Sequence, residues 1–229
     1  MPAFQRQTIV DFVKVKDASA LQQQLLGVHY GRGFCEETNV KILETYLAEQ
    51  VQNSFVDIDA NLALLKLYQV YPSTTNAENV ANVLIKGVMT LPSTFFTGAS
   101  TMIPESTSED ANVKVALQTG FMLQLCLFED FWKADVTFAN KVQGFLESVR
   151  AYILMAICHS HSVISTDVLK AKLNVSDEEV AEIVAVEKWT LSGNLIQISP
   201  NEDNQMQAKK VQENIEFDDV LKVIHTLSR

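Results

Sequence analysis

The chain has 229 residues, 47% of them hydrophobic and 20% charged, with a formal net charge of −10 and a pI near 4.8. This excludes a disordered chain, which could not bury enough apolar surface, and disfavours general binding to phosphate backbones, which needs clustered Lys and Arg. Only 8 glycines and 5 prolines are present, a composition that suits long helices better than a turn-rich β fold.

The N-terminal MPAFQRQTIVDFVKVKD has no apolar run of signal-peptide length. The apolar-rich runs FMLQLCLF and AYILMAIC fall far short of the roughly 20 residues needed to span a bilayer. The three cysteines, Cys35, Cys126 and Cys158, are odd in number and widely spaced, as free thiols in a reducing compartment are. The expectation is a soluble protein of the cytoplasm, with the nucleus as a second compartment.

GVHYGRGF follows, with Gly31-Arg32-Gly33. A dinucleotide fingerprint would need a third glycine where Glu36 stands, and a P-loop would need Gly-Lys-Ser/Thr. The segment reads as a connection. From about residue 36 the periodicity is helical. Val40, Leu43, Leu47 and Val51 form one stripe. DIDANLALLKLYQVYP carries two apolar faces, one of Ile58, Leu62 and Leu65 and one of Ala60, Leu64, Leu67 and Tyr71, as a sandwiched helix does. Asp57 is its candidate N-cap, and Pro72 stops it.

Thr75-x-x-Glu78 is a candidate capping box for a helix through Val80, Val83, Leu84 and Val88. Ser106-x-x-Glu109 is a second, for a helix through Val113, Leu117, Phe121 and Leu125. FEDFWKAD reads as a short helix, and Val142, Phe145, Leu146, Val149, Ile153 and Ala156 form a long stripe. Short connections between so many helices imply antiparallel pairs stacked side by side, with an ordinary bundle as the simpler alternative.

That stripe runs into Cys158-His159-Ser160-His161-Ser162, the densest group of reactive side chains in the chain. Structural zinc wants four ligands, usually in spaced pairs, and no second cluster exists. A Cys–His nucleophile needs an orienting third group. The expectation is therefore that Cys158 packs and the histidines end a helix. No metal, cofactor or catalytic residue is assigned, and the chain is expected not to be an enzyme.

Beyond residue 162 the pattern changes. VISTDVLKAKLN reads as a short helix capped by Ser165 or Thr166, Asn174-Val175 as a turn, and Ser176-x-x-Glu179 as a capping box for DEEVAEIVAVEKW. TLSGNLIQIS then reads as a hairpin turning at Ser192-Gly193-Asn194. Two short helices followed by a hairpin is the order of a winged helix. Its second helix carries Asp177, Glu178, Glu179, Glu182 and Glu187 against one Lys188, which opposes reading DNA and favours docking to protein. FDDVLKVIHTL closes the chain as an amphipathic helix, with Asp218 as candidate cap.

Asp59-Ala60-Asn61-Leu62-Ala63, with Leu65-Lys66-Leu67-Tyr68-Gln69 and then Pro72, resembles a run in the family of K subunits of eukaryotic translation initiation factor 3. Phe131-Trp132, Glu147-Ser148-Val149-Arg150, Gly193 through Ile198 and Ile215-Glu216-Phe217-Asp218 fit that family in order. The likeness spans about residues 30 to 227; the first 25 or so residues, Tyr30–Cys35 and STFFTGASTMIPESTSED match poorly.

The resemblance implies a mainly α protein: a HEAT-like helical repeat domain followed by a winged helix with a small β-hairpin, the layout of the PCI-type scaffolds of the proteasome lid and COP9 signalosome. The division expected is an N-terminal extension over 1–29, the helical domain over 30–160, the winged helix over 161–200, and a linker with C-terminal helix over 201–229. The implied role is a non-catalytic subunit of initiation factor 3. It would support recruitment of mRNA and initiator tRNA to the small ribosomal subunit, with the L subunit as direct neighbour and with no sequence-specific DNA and no membrane among its partners. The alternative is the equivalent scaffold subunit of the lid or signalosome. Candidate partner contacts are Trp189, Leu191, Ile196, Ile198, Leu221, Ile224 and Leu227.

Overall fold

The computed structural model describes residues 3–11, 24–25, 36–205 and 216–228. GVHYGRGF and Cys35 lie outside the described residues, as does most of the polar stretch before the C-terminal helix. The described residues form eleven α-helices and five short strands.

An N-terminal strand β1 (Thr8–Ile9) pairs in parallel with β2 (Phe55–Val56), which lies between α1 (Val40–Gln52) and α2 (Ile58–Val70). Asp57 caps α2 as expected, its Oδ1 accepting from the Ala60 N–H at 3.1 Å. Ala60, Asn61, Ala63, Leu64, Leu65, Leu67 and Tyr68 are all buried while Lys66 is exposed, so α2 is sandwiched on more than one face.

The residues of the DIDANLALLKLYQ run are structural, and their polar members explain themselves. Asn61 and Gln50 exchange two side-chain hydrogen bonds at 3.0 and 3.1 Å, and Gln50 Oε1 also accepts from the Asp57 N–H at 2.9 Å. Tyr46 donates to Asp57 Oδ2 at 3.2 Å. Tyr68 donates to Glu44 at 2.6 Å, and Gln69 donates to the Met102 carbonyl at 2.6 Å. Buried polar groups are tolerable only when satisfied, and here they pin α1 to α2 in one register.

Helix α3 (Ala77–Val88) is the centre of the array and packs on α1, α2, α4 (Phe95–Thr101) and α6 (Ala111–Gln124). Its N-cap is Asn76, one residue beyond Thr75. The Asn76 side chain accepts from both Glu78 and Asn79 N–H groups, and Asx outcompetes Thr for this position. The Ser106 box does not form either. Glu105–Ser108 is a separate short helix, α5, and Asp110 caps α6. Phe96 lies fully buried between α3 and α6. A Cβ on Gly120 would stand 2.0 Å from its ring, and one on Gly87 would stand 3.0 Å from its Cα, so glycine at both positions is what lets the helices close on it.

Helix α7 (Phe128–Lys133) leads to α8 (Phe145–Ser160), whose core side is Phe145, Val149, Ile153 and Ile157. From its end the chain forms β3 (Val163–Ser165), α9 (Thr166–Leu173), α10 (Asp177–Val186), β4 (Thr190–Ser192) and β5 (Leu195–Gln197). The sheet order is β3-β5-β4, antiparallel throughout. The Ser176–Glu179 capping box is complete in both directions. Gly193 has φ +63° and opens a two-residue hairpin loop, where glycine is the residue that fits.

Strand β3 is the element that the pattern of 163–165 did not announce, since three residues give too short a period to read. The last helix, α11 (Phe217–Leu227), begins after Glu216, and Asp218 lies in its first turn rather than at the cap. No helix among the described residues is long and apolar enough to cross a membrane.

Candidate docking surface

The small sheet has a buried face and an outer face, and the register sorts its residues between them. Ile164, Ile196 and Leu191 are cross-strand neighbours in one row. Ile164 and Ile196 are buried over Leu169, Leu173, Val180, Ile183 and Trp189, whereas Leu191, on the edge strand β4, is 54% exposed. Leu195 and Val163 belong to rows on the other face and are also about half exposed. An edge strand with an exposed leucine presents both unpaired backbone groups and apolar surface.

Helix α11 supplies the second apolar surface. Phe217, Val220, Leu221, Ile224 and Leu227 recur at helical spacing on one stripe, flanked by Val223, with Asp218, Lys222 and Thr226 elsewhere. None of its residues is buried, and Leu227 is 82% exposed. A helix this amphipathic has a face suited to covering.

Of the seven sequence-derived contact candidates, Leu191, Leu221, Ile224 and Leu227 are exposed. Trp189, Ile196 and Ile198 are core residues of the small unit and shape the hairpin from beneath. The acidic face is also in place: Asp177, Glu178 and Glu182 are exposed on α10.

The motif residues Trp132 and Arg150 meet where the array joins this unit. Trp132 Nε1 donates to the Lys172 carbonyl at 2.8 Å. Arg150 donates to the Asn174 carbonyl at 2.9 Å and stands 3.9 Å from Glu179. Its guanidinium lies between the rings of Phe4 and Trp132, 5.9 and 5.7 Å from their centroids. Asn174 adopts a left-handed conformation that ends α9, which turns its carbonyl toward this arginine. No local pattern in the sequence signals this meeting, because Trp132, Arg150 and Asn174 come from three elements.

The Cys158–Ser162 stretch ends α8 at Ser160, with His161 as C-cap. Cys158 is half-buried against the core, and burial pushes its thiol pKa up, with Glu187 adding to the effect. The Asn201 and Asn204 amides donate to the Cys158 carbonyl, and His159 Nδ1 lies 2.5 Å from Asp203 Oδ2. Burial, with Lys172 nearby, lowers the His161 pKa. Among the described residues no group of three or more His, Cys, Asp and Glu is placed to hold a metal.

The most perturbed cation lies in the array. Lys86 is fully buried on α3, and its Nζ donates to Gln7 Oε1, the Asn53 carbonyl and the Phe55 carbonyl at 3.0, 2.9 and 3.1 Å. Burial pushes its pKa down to about 7.

Fold and surface thus define a class: a mainly helical protein that ends in a small antiparallel sheet and an amphipathic helix with its apolar stripe open. Within that class, the sequence profile of the CSN8/PSMD8/EIF3K family matches residues 74–210. The chain is 31% identical over 186 residues to a Drosophila willistoni protein named "Eukaryotic translation initiation factor 3 subunit K", covering 80% of this chain and 84% of that one. Proteins of the same name from Drosophila grimshawi and Drosophila virilis are 30% identical over the same shares. The chain belongs to the CSN8/PSMD8/EIF3K family.

Proposed function

We propose that this chain is a non-catalytic structural subunit of eukaryotic translation initiation factor 3. It works by protein–protein assembly, in the cytoplasm, and supports recruitment of mRNA and initiator tRNA to the small ribosomal subunit through the complex. The observation that carries this reading is the similarity to the three Drosophila proteins over 186 residues, four-fifths of the chain. The helices over 30–160 are read as a HEAT-like domain, the unit over 161–200 as a winged helix, and 201–229 as linker and docking helix. The β3–α9–α10–β4–β5 order and the acids on α10 support a winged helix that binds protein rather than DNA.

Docking is assigned to Leu191 and to the Leu221, Ile224 and Leu227 stripe, with the L subunit as the neighbour. Truncating a central apolar anchor typically costs 2 kcal/mol or more, a loss of roughly thirtyfold in affinity. The test is affinity purification of the tagged chain followed by mass spectrometry. Initiation factor 3 subunits should be recovered, and L221D/I224D should lose its direct neighbour. Recovery of proteasome-lid or signalosome subunits in their place would overturn the reading.

A further inference from the structure

The N-terminal residues, poorly matched at the level of sequence pattern, run as an extended segment across the boundary between the helical array and the small unit. On the unit side, the Ala3 N–H donates to Glu187 Oε1 at 3.2 Å; between the two, the Phe4 ring covers the guanidinium of Arg150, the array residue that donates to the unit's Asn174 carbonyl. On the array side, Gln7 is buried and uses both ends of its amide: Nε2 donates to the Gln143 carbonyl at 3.3 Å, and Oε1 accepts from Lys86 at 3.0 Å. The Thr8 and Val10 N–H groups then donate to the Ser54 and Val56 carbonyls at 3.2 and 2.8 Å. Three residues therefore separate a contact with the end of α10 from a contact with the last turn of α3.

We propose that residues 3–11 are a strap that holds the small unit against the helical array and controls how readily that unit opens. Two further observations support it. The unit from β3 to Ile198 has about 36 residues, below the roughly 40 at which a chain usually needs outside help to stay folded. Its edge strand β4 is exposed at all three residues, so its own core is thin. Beside the strap, Phe4, Arg6, Leu154, Met155 and Glu187 line an open cavity of about 380 Å³, so Phe4 rests on the surface of the array rather than being locked into it. The array-side end is the firmer one: among the described residues, Gln7 supplies the one side-chain acceptor for the buried Lys86 Nζ, and the other two acceptors are the carbonyls of Asn53, after α1, and of Phe55, in β2. This inference does not depend on which complex the chain joins.

Hydrogen exchange of the full chain, followed by mass spectrometry at one pH, tests it. Phe4→Ala removes the ring from Arg150. Amides in 163–198 should exchange about tenfold faster, while those in 40–124 stay within about twofold. Ala3→Pro removes the N–H that Glu187 accepts and fixes φ at that one residue, and should accelerate the same region about threefold without threatening the fold. Unchanged exchange at 163–198 in both variants would overturn the proposal. So would an acceleration spread evenly over the chain in Ala3→Pro, since that would mean the segment contributes general stability rather than holding one unit.

Discussion

The helical array and the small unit that follows it keep order by opposite means. The array closes on itself. Its central helix α3 is buried at eight of twelve positions, a lysine included. Its buried amides Gln50 and Asn61 satisfy one another. The small unit closes on its neighbour. Its sheet has an outer face and an exposed edge, and its Lys172, Asn174 and Glu179 meet Trp132 and Arg150 of the array. A family likeness that runs over both regions therefore has two physical sources. Some of the matching residues pack internally, as Leu65 and Leu67 do in the array and Ile196 and Ile198 in the unit; others, Trp132 and Arg150, hold the two regions together.

The comparison breaks most visibly at Phe96. Phe96→Ala should cost about 4 kcal/mol in global stability by urea denaturation, as a fully buried aromatic does. Gly120→Ala alone should cost about 3 kcal/mol through the clash with the same ring. In a Phe96→Ala background the Gly120→Ala change should cost nothing or stabilise slightly, and additive losses would show that the ring is not the cause. Gln50→Leu should cost about 3 kcal/mol, because it removes the buried partner that satisfies both ends of the Asn61 amide.

Lys86 gives the array a pH dependence that comes from burial. Its folded pKa, about 7, lies below the ordinary lysine value, so between pH 7 and about 10 the unfolded chain binds more protons than the folded one. Stability that depends on Lys86 should therefore rise with pH in that window, with a slope approaching 1.4 kcal/mol per pH unit. Denaturation midpoints of the native chain and of Lys86→Met, measured from pH 6 to 10, should diverge accordingly; parallel curves would refute a buried, titrating lysine.

Effects at the joint and in the unit are smaller. Arg150→Met should accelerate exchange in 163–198 by about tenfold and shift the global midpoint little. Ser176→Ala should cost about 1 kcal/mol, the worth of a capping box. Replacing both His159 and His161 with Asn should change stability by less than about 0.5 kcal/mol, because exposed ion pairs contribute little.

Most of the array was legible because its helices are long enough to show a period and carry their own start signals, as at Asp57. The misplaced caps at Thr75 and Ser106 fell where a better side chain, Asn76 or Asp110, stood a few residues away. In the unit, Ser176 and Gly193 were readable because capping and hairpin turns are local chemistry. The split of the contact candidates was not. Which side of a three-residue strand faces inward depends on β3, which pairs with β5 from 32 residues earlier, Ile164 with Ile196. The strap was invisible for the same reason: two strand residues have no period, and Gln7 matters only because Lys86 reaches it.

The Phe96 ring between its two glycines is, in mechanical terms, a key in a keyway. Helix α6 cannot slide by a turn or rotate about its axis without driving a side chain into the ring, since only Gly120 offers the gap. With that freedom removed, α3 and α6 behave as one body, and relative movement in the molecule is left to places where no such key exists. The seam beyond α8 is one such place, and there the hydrogen bonds of Trp132 and Arg150 take over the task that a packed ring performs in the array.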